Sequence, residues 1–103
     1  MKTTGYVLPL GVDVRKRHFH IAEKGEVKGF MVQLEIMVYG KWVPVIRYDC
    51  AHNVAHIDYY NIKGEKRQEK LKLSFSEALV LADEDIKQNW EEYKSIFLRG
   101  GRI

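Results

Sequence analysis

The stretch Phe30-Met31-Val32-Gln33-Leu34-Glu35-Ile36-Met37-Val38-Tyr39-Gly40-Lys41-Trp42 alternates apolar and other residues up to a glycine. Phe30, Val32, Leu34, Ile36 and Val38 occupy every second position, so an extended backbone puts all five on one face. Gln33 and Glu35 fall on the other face. The spacing predicts a half-buried strand over 29–39. Tyr39-Gly40-Lys41-Trp42 then has the form of a two-residue hairpin with glycine first, which suits a type II′ turn. The chain returns over 42–49, where Pro44 has no N–H for a ladder and marks an edge or a bulge.

Working outward, residues 54–61 form a third strand. Residues 68–73 form a fourth, after a turn at Lys63-Gly64-Glu65. Upstream, 6–10 and 17–22 read as short strands around Gly11-Val12-Asp13, and Lys24-Gly25-Glu26 reads as a turn. The C-terminal segment changes period. Ser74 and Glu77 have the spacing of a capping box. Ala78, Ala82, Ile86, Trp90, Tyr93 and Phe97 then recur every three or four residues, with Gly100 and Gly101 as the stop. Asp83, Glu84, Glu91 and Glu92 are assigned to the solvated side, and Trp90 and Tyr93 to the core. The expected class is α+β: an antiparallel sheet of about four to six strands packed against one C-terminal amphipathic helix. It forms a single domain over 1–103, with 1–73 mainly strands and 74–99 helical.

A chain of 103 residues with 46% hydrophobic and 12% aromatic content is long enough for one core. The formal charge is +3, unevenly spread. Residues 1–72 hold 13 Lys/Arg against 8 Asp/Glu, and residues 73–103 hold 4 against 6. An anionic ligand therefore favours the sheet half. Cys50 is the only cysteine, which excludes an intrachain disulfide and a cysteine metal cluster. No apolar run approaches the roughly 20 residues of a membrane span, and Met1-Lys2-Thr3-Thr4-Gly5 lacks a signal peptide's apolar core. The expected compartment is the cytoplasm, with no membrane partner.

The unusual chemistry lies between Arg47 and Asp58. If Asp49 and Val54 close a hairpin around a four-residue loop, Arg47 faces His56 and Val45 faces Asp58. Alternation then puts Arg47, Asp49, His56 and Asp58 on one face, with His52 on the loop at the rim. Such a group can hold phosphate and move protons, as metal-free cleavage of RNA requires. The same residues also suit phosphate binding without chemistry, or structural ion pairs. No cofactor is expected. No metal site is assigned either, because strand residues four apart, such as His52 and His56, lie about 13 Å apart. Arg15, Lys16, Arg17, His18 and His20, interleaved with Phe19, suit a nucleic-acid-binding surface or a charged edge strand. Lys63, Lys66, Arg67, Lys70 and Lys72 form a second basic run that suits a solvated hairpin. Cys50 beside His52 is a weak basis for a thiol nucleophile.

The string Arg47-Tyr48-Asp49, Ala51-His52, His56 and Asp58, followed by one C-terminal helix, resembles a family of small prokaryotic proteins similar to the TumE-type toxins of toxin–antitoxin pairs. Tyr6-Val7-Leu8-Pro9-Leu10-Gly11 is similar to a motif near the start of such chains, with Leu10 where that motif has an aspartate. The resemblance implies a growth-inhibiting protein neutralised by a cognate antitoxin, with Arg47, Asp49, His52 and His56 as its site positions. Two hypotheses follow, beside a third, a metal-dependent enzyme that would retain zinc. The first is a toxin-like protein acting on RNA, in which Arg47 binds phosphate, His56 or His52 serves as acid and base, and Asp49 or Asp58 orients the imidazole. The second is a non-catalytic module that binds nucleic acid or protein. An edge strand would also allow a homodimer.

Overall fold

A computed structural model describes residues 1–101. Among them lie β1 (Lys2–Gly11), β2 (Val14–Glu23), β3 (Glu26–Val38), β4 (Lys41–Asp49), a 3₁₀ turn (Ala51–Asn53), β5 (His56–Tyr60), β6 (Lys66–Lys70) and α1 (Phe75–Leu98). The six strands form one antiparallel meander in which sheet order equals chain order, β1-β2-β3-β4-β5-β6. Helix α1 packs on one face. The α+β expectation therefore holds, at the upper end of the expected strand number.

The alternation in β3 predicts its packing. Phe30, Val32, Leu34 and Ile36 are buried in the core that α1 covers, while Gln33 and Glu35 belong to the face turned away from it. Gly25 and Gly40 sit at φ 79° in the two-residue reversals, preceded by Lys24 at φ 52° and Tyr39 at φ 50°. Val38 pairs with Lys41, so the β3–β4 loop is Tyr39-Gly40 with glycine second. Two successive positive φ values are the type I′ pattern, which corrects the expected type II′ turn. The N-terminal strands run longer than the 6–10 and 17–22 segments, because paired backbone continues past the apolar residues that mark them.

The expected irregularity at Pro44 is a bulge. Glu35 pairs with Pro44 and Leu34 with Ile46, leaving Val45 as the extra residue. A second register shift separates Ile21 from Ala22 in the β2–β3 ladder.

The Ser74–Glu77 capping box is formed, with Glu77 N–H donating to Ser74 Oγ at 3.1 Å and Ser74 N–H donating to Glu77 Oε1 at 2.9 Å. Ala78, Ala82, Ile86 and Phe97 are buried, with Trp90 and Tyr93 packed half-buried beside them. Asp83 does not lie on the solvated side as expected. It reaches β2, and Asp85 reaches β4, so the two carboxylates straddle the Ala82/Ile86 stripe. Asp85 accepts from Tyr48 Oη at 2.5 Å and from Tyr93 Oη at 2.7 Å. Burial first, and then the Asp85 carboxylate, push both phenols well above their ordinary range. Both tyrosines therefore stay neutral and act as donors.

The last turn of α1 is tied back to the sheet. Buried Asn61 donates to Glu65 Oε1 and to the Gly101 carbonyl, and its Oδ1 accepts from Lys63 N–H and Glu65 N–H at 3.1 and 3.2 Å. Among the described residues no helix is long and apolar enough to cross a membrane.

Candidate functional site

The β4–β5 reversal is wider than a four-residue loop. Asp49 pairs with His56, Tyr48 with Ile57, and Arg47 with Asp58. Six residues, 50–55, lie between the paired ends, and a 3₁₀ turn occupies half of them. The register thus slips by two from the expected pairing of Arg47 with His56. Because side chains alternate with period two, such a slip leaves every residue on its original face. Arg47, Asp49, His56 and Asp58 accordingly share the face turned away from α1.

Their partners differ from the expected ones. His56 Nε2 contacts Asp49 Oδ1 and lies 3.9 Å from Asp58 Oδ2. Its Nδ1 lies 3.2 Å from the Val54 carbonyl. Asp58 is 2% exposed, accepts from Gln68 Nε2 at 2.9 Å, and has Lys66 Nζ at 3.7 Å. Arg47 does not join the imidazole, because its Nε donates to Gln33 Oε1 at 2.6 Å. Gln33 in turn donates to Glu35, which also accepts from Arg15 Nε at 2.6 Å and Arg17 Nε at 3.1 Å. Two polar groups therefore lie side by side on this face: an Asp49/His56/Asp58 trio, and a chain from Arg47 through Gln33 and Glu35 to Arg15 and Arg17. Burial alone would raise the Glu35 pKa, but the three donors outweigh it and hold the carboxylate below its ordinary value of 4.5.

His56 and Asp58 of the trio open into a cleft of about 580 Å³ lined also by His52, Lys66, Gln68 and Lys70, together with Ala51 and Val54. His52 is exposed and sits at φ 59°, a left-handed conformation that asparagine and histidine adopt more readily than other side chains. The strand-spacing reason against a shared metal on His52 and His56 falls away, since His52 belongs to the 3₁₀ turn and not to a strand. The ligand atoms that do converge are those of Asp49, His56 and Asp58, all within 4.8 Å of one another.

The basic segment of β2 divides by alternation. Arg15 and Arg17 enter the Glu35 network, whereas Lys16 and His18 are buried toward α1. Asp83 accepts from Lys16 Nζ at 2.9 Å and lies 3.1 Å from His18 Nδ1, and His18 Nε2 lies 2.7 Å from His20 Nδ1. Tyr6 stacks on His18 with centroids 4.6 Å apart. Burial pulls the Lys16 pKa down, but the Asp83 hydrogen bond and charge more than offset it, and the net shift is upward. These five residues do not form one surface. Cys50 is half-buried with Sγ accepting from Phe30 N–H at 3.3 Å, a packing role.

A model of one family matches the chain over residues 1–103. The chain belongs to the DUF7718 family, a domain of unknown function. No curated protein and no solved structure matches it.

Sequence reasoning missed three kinds of participant in this DUF7718 domain. Gln33 and Glu35 were assigned to a face but given no task, although two neutral or acidic side chains opposite three arginines are a readable signal. Asp83 and Asp85 flank the apolar stripe, so helical spacing leaves their direction open. Lys66, Gln68 and Lys70 enter the cleft only because β6 pairs with β5, His56 with Lys70 and Asp58 with Gln68.

Proposed function

We propose that this DUF7718 domain is a toxin-like protein acting on RNA at the β4–β5 cleft. The observation that supports the reading is a cleft, wide enough for a phosphate and its sugar, that His52, Lys66 and Lys70 line together. The two lysines would hold a backbone phosphate. His52 would take the proton of the 2′-hydroxyl as that oxygen attacks phosphorus. A 2′,3′-cyclic phosphate forms, and the departing 5′-oxygen takes its proton from water. His56 is the poorer base, since both of its ring nitrogens already face acceptors. It and Asp49 act as positioning residues for the loop that carries His52.

His52→Ala is expected to lower RNA cleavage by about 10²–10⁴, the usual contribution of a positioned acid or base. It should also relieve growth inhibition in an expression host, whereas His18→Ala should not. Lys66→Ala with Lys70→Ala should weaken RNA binding and flatten its salt dependence. Unchanged cleavage by His52→Ala would remove the catalytic assignment. The Arg47–Gln33–Glu35 network favours a second reading, a non-catalytic nucleic-acid- or protein-binding module. That module would retain RNA without shortening it. A cognate antitoxin belongs to the first reading, and it would be expected to cover the cleft.

A further inference from the structure

We infer that Asp49, His56 and Asp58 form a binding site for one divalent first-row transition ion, with Zn²⁺ as its natural occupant. The inference goes beyond the RNA reading and does not depend on it. A backbone carbonyl can only accept, so the contact between His56 Nδ1 and the Val54 carbonyl puts a proton on Nδ1. The other nitrogen, Nε2, faces Asp49 Oδ1 and Asp58 Oδ2. The two carboxylates draw a cation to that nitrogen: either a proton, which makes the short His56–Asp49 contact an ion pair, or a metal ion that takes the proton's place. Fixing one ring nitrogen on a carbonyl while the other turns to carboxylates is how metal-binding histidines are held.

Charge and geometry fit. Two carboxylates and a neutral imidazole balance a divalent ion. Asp58 is fixed at Oδ1 by Gln68, which leaves Oδ2 for the ion, and Lys66 is half exposed and able to swing away. The three ligand atoms span no more than 4.8 Å, whereas tetrahedral zinc with N and O ligands needs them roughly 3.3 Å apart. Asp49 and His56 must therefore separate slightly and Asp58 must close in. Asp49 can make that shift because its side chain is 20% exposed and ends a strand. One imidazole with two carboxylate oxygens is a mixed nitrogen and oxygen ligand set of the kind zinc takes. The fourth position faces the cleft, as in open zinc sites.

The test uses the full chain, stripped with chelator and dialysed, and titrated with Zn²⁺ alone while heat release, bound metal and thermal midpoint are measured. One equivalent should bind and raise the midpoint. Asp49→Asn should weaken binding at least about tenfold, as loss of a ligand does at a minimum. His20→Ala, which alters the other imidazole pair, should leave binding unchanged. Asp58→Asn adds a second arm, and Asp49→Asn carries the test if that variant fails to fold. Less than half an equivalent bound by the wild-type chain overturns the site. So does one equivalent that survives Asp49→Asn, or that disappears in His20→Ala. RNA takes no part in the titration, so failure here and failure of the His52 assignment are separate results.

Discussion

Glu35→Gln is the substitution on which the polar face can be judged. The Glu35 carboxylate is 6% exposed and accepts from Arg15, Arg17 and Gln33. Glutamine keeps the shape but removes the charge, leaving Arg15, at 22% side-chain exposure, without its partner. Breaking such a pair from one side costs about 3–5 kcal/mol when both groups are fully buried. The Arg17 side chain is 40% exposed, so its share is that of a surface pair, at most about 1 kcal/mol. The expected loss is about 3 kcal/mol near neutral pH. At 4–8 °C per kcal/mol for a domain of this size, that is a midpoint roughly 12–24 °C lower. The pH dependence gives an independent reading. The Glu35 pKa is lowered in the folded chain from 4.5, so its stabilisation is complete above 4.5 and disappears as pH falls through the folded value. Urea unfolding of wild type and Glu35→Gln at pH 7 and pH 3 should therefore show a wide gap that narrows in acid. A gap below about 1 kcal/mol at pH 7, or one of equal size at both pH values, would refute the network as a source of stability.

Three further outcomes follow from the packing. Ile86 is fully buried under the centre of the sheet, and Ile86→Ala should cost about 2–5 kcal/mol in urea unfolding. Asn61→Ala strips the partners from Lys63 N–H, Glu65 N–H and the Gly101 carbonyl. It should cost about 2 kcal/mol, with faster hydrogen exchange at the C-terminal end of α1. His52→Gly relieves the left-handed backbone at φ 59°, so thermal unfolding should show unchanged or slightly raised stability, up to about 1 kcal/mol, together with loss of RNA cleavage. A strong destabilisation by that substitution would mean His52 holds the turn through contacts of its own.

The β3 and α1 patterns were legible because each carries a single period over many residues. Five apolar residues at spacing two leave one side for the core, and Ala78, Ala82, Ile86 and Phe97 at helical spacing do the same. The loop chemistry was less legible. Tyr39-Gly40 and Gly40-Lys41 both satisfy a two-residue reversal, and only the backbone decides between them. The grouping of Arg47, Asp49, His56 and Asp58 survived an incorrect loop length because the slip was of two residues. A slip of one would have sent His56 and Asp58 into the core under α1.

From its sequence alone, this chain specified an antiparallel sheet, a capped C-terminal helix, and the face on which its arginine, histidine and aspartates stand. These are properties of periodicity, which acts within a single element and needs no knowledge of its neighbours. Tertiary structure decided which of those residues touch. Bulges at Val45 and beside Ile21, together with the six-residue reversal before His56, set the strand offsets. Those offsets sent Arg47 to Gln33 and joined His56 to Asp49, and the β5–β6 pairing brought Lys66 and Lys70 over the cleft. Pairing between strands depends on where extra residues are inserted along both partners, and no local pattern in either one records that sum.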